Sequence, residues 1–333
     1  MTLKAPFPWF GGKSRVAADV WPRFGAVSNY LEPFAGSLAV LLAAPKGERT
    51  ETVNDKDGFV CNFYRSVAAA PDEVAAYADQ PIFENDLHAR HAWLVSERET
   101  LTARLEGNPD YYDAKIAGWW LWGISTWIGS GWCAGTGSWI QENGLLVQTG
   151  RGRGISRQLP AIGVTGGGIH KTGLRGGIAD YMRALRDRLR YVRVCCGDWS
   201  RIMGPCVTYN LNGGNNCITG IFLDPPYSED ADRHDGLYAV DDHSIAGRVR
   251  EWAIANGSNP LLRIALCGYA GEHSMPDDWD CLEWKANGGY SSQAATQARE
   301  NAARERIRFS PHCAKPEFDL FSLAAERECA LLA

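Results

Sequence analysis

The 333-residue sequence lacks several features that mark specialised classes of protein. No apolar run is long enough to span a bilayer, so we do not expect a membrane protein. The ten cysteines include no C-x-x-C pair, and the chain opens without a charged segment followed by an apolar one. We therefore expect reduced thiols in a cytosolic protein. Because the formal net charge is −5, contact with a polyanion would depend on a local basic patch.

Metal ligands at a recognisable spacing are also missing. Cys206, Cys217 and the pair His312-Cys313 do not have the spacing of a zinc module. His234 and His243 lie among carboxylates, but solvated loop charges are a commoner explanation than a metal cluster. We therefore predict no metal site.

The most informative stretch that is present is the apolar run 218–223 with the loop behind it. The loop consists of Asp224, Pro225, Pro226 and Tyr227. The run predicts a buried strand that the prolines end at once, and open α/β sheets bind ligands outside the carboxyl ends of strands. Since proline has no N–H, the loop offers carbonyls that only accept hydrogen bonds, beside one carboxylate and one aromatic face. These groups suit an amine, although a plain strand-ending turn could use the same residues.

Two glycine turns near the start predict a ligand site. The first consists of Trp9, Phe10, Gly11, Gly12 and Lys13 and precedes a predicted helix. Its glycines would let a ligand approach the backbone, and the helix start favours a negative group such as a carboxylate. Gly-Lys-Ser is not a phosphate-binding loop here, because Phe7 replaces the required earlier glycine and no strand precedes it.

The second turn consists of Glu32, Pro33, Phe34, Ala35 and Gly36, between a short predicted strand and a helix of small residues. This pattern is typical of the first βα unit of a nucleotide-binding sheet. About 20 residues later Asp55 ends a second strand, where dinucleotide folds bond ribose hydroxyls. Because the turn is not G-x-G-x-x-G, a ligand with a carboxylate and a ribose fits better than a pyrophosphate.

A further predicted strand, 191–195, leads to Asp198 and Trp199, a carboxylate with a flat neighbour that could bond an adenine amine. Acids thus follow four strands that alternate with helices, at positions 32, 55, 198 and 224. This alternation predicts a doubly wound, mostly parallel α/β sheet with its ligands along one edge.

Residues 70–177 interrupt the alternation and predict an inserted, mainly helical domain, which leaves 1–69 and 178–333 as a discontinuous sheet domain. Helix-like sequence runs from Pro71 to Leu105, and Trp132 and Trp139 among glycines and serines predict a mobile surface. The glycine-rich segment 143–177 contains no acid and predicts a flexible loop that could follow a phosphate backbone; a solvated linker is the alternative. Its cations are Arg151, Arg153, Arg157, Lys171 and Arg175.

In this order the motifs resemble the Dam-type DNA adenine methyltransferases, with cofactor motifs first, an inserted recognition domain next and Asp-Pro-Pro-Tyr last. The resemblance implies methyl transfer from S-adenosyl-L-methionine to the N6 amine of an adenine extruded from double-stranded DNA, leaving S-adenosyl-L-homocysteine. It implies that the two glycine turns hold the methionine end of the cofactor, Asp55 the ribose, and Asp198 with Trp199 the adenine. Asp224 and the Pro225 carbonyl would then accept hydrogen bonds from the target amine, and Tyr227 would stack on the extruded base.

Other interpretations stay open at this point. A cytosine N4 methyltransferase shares the chemistry, although Ser-Pro-Pro-Tyr is commoner there, and an inactive DNA-binding protein or a small-molecule or RNA methyltransferase are further alternatives. Residues 122–132 depart from the family's Tyr-x-Asn-Arg pattern, so the recognition sequence is open and relaxed specificity is an option. The family's distribution suggests a bacterial or phage-infected cell and a role linked to restriction, and we expect a monomer or weak dimer.

Overall fold

The computed structural model describes residues 3–9, 12–127, 132–133, 139–142, 145–148, 177–211, 215–226, 245–284 and 305–315. The helices are α1 (Ala17–Phe24), α2 (Ala39–Leu42), α3 (Gly58–Ala69), α4 (Pro71–Ala78), α5 (Glu84–Gly107), α6 (Ala114–Thr126), α7 (Gly177–Leu189) and α8 (Ile245–Asn256), with a 3₁₀ turn at Trp199–Ile202. The strands are β1 (Asn29–Glu32), β2 (Thr50–Asp55), β3 (Trp139–Glu142), β4 (Leu145–Gln148), β5 (Val192–Cys196), β6 (Asn210–Leu211), β7 (Asn215–Asn216), β8 (Thr219–Leu223), β9 (Leu262–Tyr269), β10 (Asp280–Glu283) and β11 (Glu305–Phe309).

Seven strands form one sheet in the order β10-β11-β9-β8-β1-β2-β5. The five strands from β9 to β5 are parallel to one another, whereas β11 pairs antiparallel with both β9 and β10. Every residue of β1 and β8 is buried, as expected for central strands covered on both faces. The predicted mostly parallel α/β fold is therefore confirmed.

The sheet reverses its winding direction between β1 and β8, and this position determines where a ligand can enter. From β1 the chain continues to β2 on one side, whereas β8 and β9 lie on the other side. Leu31 is in register with Ile221, so the two strands end at the same height and deliver Glu32 and Asp224 to one edge. Such a switch point opens a crevice at the carboxyl ends of the strands.

An aromatic core joins the N-terminal segment to the helices on one face of the sheet. Trp120 on α6 is buried and contacts Phe7, whose ring centroid lies 4.9 Å away in an edge-on arrangement, and stacks at 6.4 Å on Phe59 of α3. Helices α4 and α6 share this core with α3 and α7. The proposed boundary of an inserted domain at 70–177 stays a prediction.

Two details differ from the sequence-based expectation. The helical segment 71–105 is divided into α4 and α5, and Pro81 lies between them, where it has no N–H to continue a helix. Trp132 was expected on a mobile surface, which is wrong: it is 8% exposed, and its indole nitrogen donates to the Trp120 carbonyl at 3.1 Å. Gly123 makes room for the indole, because a Cβ there would lie 1.8 Å from its ring. Trp139 lies on β3, and its side chain is outside the described residues.

Candidate active site

A cleft opens at the carboxyl ends of β1, β2 and β8, with an empty volume of ≈ 770 Å³ that includes open solvent. It brings together most of the residues that the sequence singled out. Those that line it are Trp9, Gly12, Lys13, Glu32, Phe34, Ala35, Gly36, Asp55, Asp224 and Pro226. Segments that are far apart in the chain therefore build one site.

The two glycine turns meet at the indole of Trp9. The Gly12 N–H donates to the Trp9 carbonyl at 3.0 Å, which closes the first turn. Gly36 has φ +44°, and a Cβ there would lie 2.6 Å from the Trp9 indole nitrogen. The Tyr64 hydroxyl donates to the Gly36 carbonyl at 2.6 Å and holds the second turn from behind. Glycine is thus required at position 36 by both the backbone angle and the contact.

Glu32 ends β1 as a buried carboxyl group, 3% exposed. It accepts hydrogen bonds from the Tyr30 hydroxyl at 2.9 Å and from the Leu41 N–H at 3.1 Å. Burial raises the pKa of Glu32 to about 8, although these two donors oppose the shift. At neutral pH the group is therefore mostly protonated and carries little negative charge into the cleft.

Asp55 ends β2 with both carboxylate oxygens already oriented. One oxygen accepts the Gly36 N–H at 2.9 Å, and the other accepts the Asp57 N–H at 2.9 Å. Burial raises the pKa of Asp55, and these backbone donors act against that rise. Each carboxylate oxygen has two acceptor positions, so the two bonds fix the group without exhausting it.

Asp57 and Lys56 also line the cleft, and the sequence had not assigned either of them a role. Asp57 caps α3 by accepting the Phe59 N–H at 2.8 Å, and burial raises its pKa to about 7. An acid directly before a helix start is an N-cap signal that the sequence contained. Its place in the cleft follows only from the turn of the chain after β2.

Asp224 is held by Lys13, a residue near the start of the chain. The Lys13 ammonium lies 2.9 Å from Asp224 Oδ1, and the Cys267 thiol donates to the same carboxylate. Burial raises the pKa of Asp224, whereas Lys13 and Cys267 lower it. Burial alone would lower the pKa of Lys13, but Asp224 and Glu305 raise it well above its usual range, so the lysine stays charged.

Sequence reasoning missed this ion pair, because it grouped Lys13 with the glycine turns alone. Glu305, 3.9 Å from the Lys13 ammonium, was missed entirely. No motif marks Glu305, which starts β11 and reaches the site only because β11 pairs with β9.

Four other predicted residues are not among those that line the cleft. Trp199 is buried and stacks on Phe34 with ring centroids 6.1 Å apart. Asp198 accepts the Ser200 N–H and hydroxyl, which lowers its pKa, and therefore already has local partners. The Pro33 carbonyl accepts a hydrogen bond from Asn54, and Pro225 is buried.

Several predicted site residues lie outside the described residues, so their roles stay predictions. They are Phe10, Gly11, Tyr227, Arg151, Arg153, Arg157, Lys171 and Arg175.

Two further observations concern the described part of the chain. None of its helices has the length and apolar character needed to cross a bilayer. In the same residues, no three His, Cys, Asp or Glu side chains come together in a way that could hold a metal ion.

Residues 9–104 match the family model of the D12 class N6 adenine-specific DNA methyltransferases. The match confirms the family resemblance drawn from the motifs and supports adenine methylation of DNA in general terms. It spans both glycine turns and Asp55 but not Asp198 or Asp224. A comparison with curated proteins gave no match.

Proposed function

We propose that this protein transfers a methyl group from S-adenosyl-L-methionine to the N6 amine of an adenine extruded from double-stranded DNA. The observation that carries the proposal is the placement of Asp224 and Pro226 in the same cleft as Glu32, Gly36 and Asp55. Asp224, a carboxylate suited to accept hydrogen bonds from an amine, therefore shares one cleft with residues suited to bind a nucleoside.

The residues in the cleft fit the proposed cofactor. Asp55 presents a fixed carboxylate to ribose hydroxyls, and the apolar ring of Phe34, backed by Trp199, offers a surface for a purine. The bends at Gly12 and Gly36 bring backbone close to the cleft, as the methionine end of the cofactor requires. When bound, the sulfonium supplies an electrophilic methyl group. Asp198 keeps its proposed role beside the adenine.

Asp224 would act on the nucleophile. An exocyclic amine is a poor nucleophile because its lone pair is delocalised into the ring. Acceptors on both of its hydrogens favour a tetrahedral nitrogen whose lone pair points at the methyl group. A carboxylate has about four acceptor positions, so the bonds from Lys13 and Cys267 do not exhaust Asp224, and the Pro225 carbonyl is the proposed second acceptor.

The adenine must leave the duplex to reach Asp224. Extrusion costs a few kcal/mol, which is offset by stacking and by hydrogen bonds to the edge of the base. Tyr227 is the proposed stacking partner, and the basic residues of 143–177 are the proposed phosphate contacts. Once the base is held, most of the rate gain comes from positioning.

The proposal is tested with isotope-labelled S-adenosylmethionine and unmodified double-stranded DNA. Wild-type protein should label the DNA, and Asp224→Asn should lower the rate by roughly two orders of magnitude or more, because a preorganised charged acceptor is lost. Asp277→Asn is the matched control, since Asp277 is an exposed carboxylate in the loop after β9. An Asp224→Asn protein that is folded and as active as the control would show that the site is elsewhere.

A further inference from the structure

We propose that Asn54 is a positioning residue for the cofactor, and that its side-chain amide sets the spacing of the two turns that hold the adenine. The inference rests on the proposed function, in which the base of the cofactor lies on Phe34 beside Asp198. It adds a buried residue that the proposed mechanism does not use.

The Asn54 amide joins two turns that follow different strands. Asn54 lies near the end of β2 and is 2% exposed. Its Nδ2 donates to the Pro33 carbonyl at 3.1 Å, after β1, and to the Gly197 carbonyl at 3.0 Å, after β5. Because β2 pairs with both β1 and β5, one side chain connects the carboxyl ends of three neighbouring strands.

Both hydrogen bonds go to the peptide units that lead into the proposed adenine contacts. The Pro33 carbonyl belongs to the peptide unit before Phe34, and the Gly197 carbonyl belongs to the one before Asp198. A peptide unit is planar, so fixing its carbonyl also fixes the direction in which the next residue begins. The Asn54 amide therefore orients Phe34 and Asp198 relative to each other.

The backbone of β2 attaches the same turns at other atoms. The Ala35 N–H donates to the Asn54 carbonyl at 2.8 Å, and the Gly197 N–H donates to the Asp55 carbonyl at 2.8 Å. These bonds hold the turns against β2, but they do not involve the two carbonyls that the side chain holds. The amide thus adds a restraint that the sheet does not supply.

The spacing of the two turns matters for a flat ligand. Phe34 lines the cleft and stacks on Trp199, the residue after Asp198, with ring centroids 6.1 Å apart and ring planes 29° apart. A purine on Phe34 can donate its amine to Asp198 only while the two turns keep this arrangement, since hydrogen bonds weaken steeply when distance or angle departs from the optimum.

An amide suits this position because its nitrogen carries two donors on one atom. Asn54 Oδ1 is buried and has no hydrogen-bond partner within the part of the chain that the structure describes, so the side chain serves there as a donor only. A neutral carboxyl group would supply one donor and an aliphatic side chain none. A carbonyl that loses its donor is costly to keep buried, which favours a rotation that moves the next residue as well.

The test compares, by calorimetry, S-adenosylhomocysteine with an analogue that carries purine in place of adenine and so lacks the 6-amino group. Wild-type protein should prefer the adenine ligand, because Asp198 accepts a hydrogen bond from that amine. In Asn54→Leu the preference should fall by about tenfold, the size expected for one hydrogen bond to a charged group. The KM for S-adenosylmethionine should rise while kcat stays close to the wild-type value, because the contacts of Asp224 with the target base are unchanged.

Asn29→Leu is the matched control. Asn29 is also buried, and its Nδ2 also bridges two carbonyls, those of Val207 at 2.9 Å and Thr208 at 2.8 Å. It starts β1 and therefore lies at the edge of the sheet opposite the cleft. Asn29→Leu should destabilise the fold to a similar degree and leave the ligand preference unchanged.

Asn54→Asp provides a second measurement if Asn54→Leu fails to fold. It keeps the shape of the side chain and, as a buried neutral acid, one of the two donors, so the preference should fall by less than tenfold. Equal affinities of the wild type for the two ligands, or an unchanged preference in a folded Asn54 variant, would overturn the inference alone. A wild type that methylates no DNA would overturn the proposed function and the inference with it.

Discussion

At the scale of single residues, the site depends on close contacts that leave no room for a larger side chain. Trp9 fills the space beside Gly36, and the Gly36 N–H orients Asp55 at 2.9 Å. Gly36 therefore connects the first glycine turn to Asp55, the residue proposed to bind the ribose. Any side chain at position 36 would disturb both.

Gly36→Ala is expected to weaken binding of S-adenosylhomocysteine by about tenfold or more. The new Cβ would lie 2.6 Å from the Trp9 indole, and φ +44° costs a non-glycine residue on the order of 1 kcal/mol. Gly204→Ala is the control, because a Cβ there meets nothing within 4 Å. Titration calorimetry measures both, and equal affinities would contradict the proposed cradle.

At the scale of elements, one buried amide connects α3 to α6. Asn62 is fully buried; its Nδ2 donates to the Asp113 carbonyl at 2.9 Å, and its Oδ1 accepts the Asp113 N–H at 2.9 Å. The Asp113 side chain in turn caps α6 by accepting the Ile116 N–H at 2.8 Å. This exchange fixes where α6 begins relative to the sheet domain.

Asn62→Ala is therefore expected to lower the free energy of unfolding by about 2 kcal/mol, because it leaves the Asp113 N–H without its acceptor, although the Asp113 carbonyl still accepts the Ala117 N–H. Ser96→Ala serves as the control, since Ser96 is exposed and only bonds back to its own helix at Trp93. Urea denaturation measures the difference. Equal midpoints for the two variants would show that water replaces the amide at no cost.

Elements with local signals were predictable from the sequence. Helix α3 has such local signals, because Asp57 caps its start and Pro71 begins the next helix. Strands β1, β2 and β8 were predicted because each is a short run that ends in an acid or in turn residues. In contrast, the position of β11 between β9 and β10 depends on pairing across the chain, which periodicity does not encode.

The same distinction explains the site. Glu32, Asp55 and Asp224 were predicted because each follows a strand, and parallel strands bring their carboxyl ends to one edge. The Lys13–Asp224 pair and Glu305 were missed because their contacts join residues more than 200 positions apart. Trp132 was misplaced because neighbouring glycines are typical of surface loops, while its actual space is provided by Gly123 on another element.

At the scale of the whole molecule, buried carboxyl groups make stability depend on pH. Burial raises the pKa of Glu32 to about 8, well above the usual value of about 4.3 in an unfolded chain. The folded state therefore binds the proton more tightly. The resulting stabilisation is complete below the unfolded pKa and is lost as pH rises towards 8.

We expect the free energy of unfolding of the wild type to fall between pH 5 and pH 8 more steeply than that of Glu32→Gln, which resembles the protonated group. The difference in slope should reach up to about 1.4 kcal/mol per pH unit. Chemical denaturation at several pH values measures it. Asp55, Asp57 and Asp224 remain in both proteins, so their contributions largely cancel; parallel curves would mean that Glu32 is ionised in the fold.

The central claim is that the chain methylates the N6 amine of adenine in DNA, and the identity of the product base tests it most directly. DNA is incubated with the protein and S-adenosylmethionine, digested to nucleosides and separated by mass spectrometry. The account predicts N6-methyladenine from the wild type and almost none from Asp224→Asn. N4-methylcytosine as the product, or no methylated base from a protein that binds the cofactor, would contradict it.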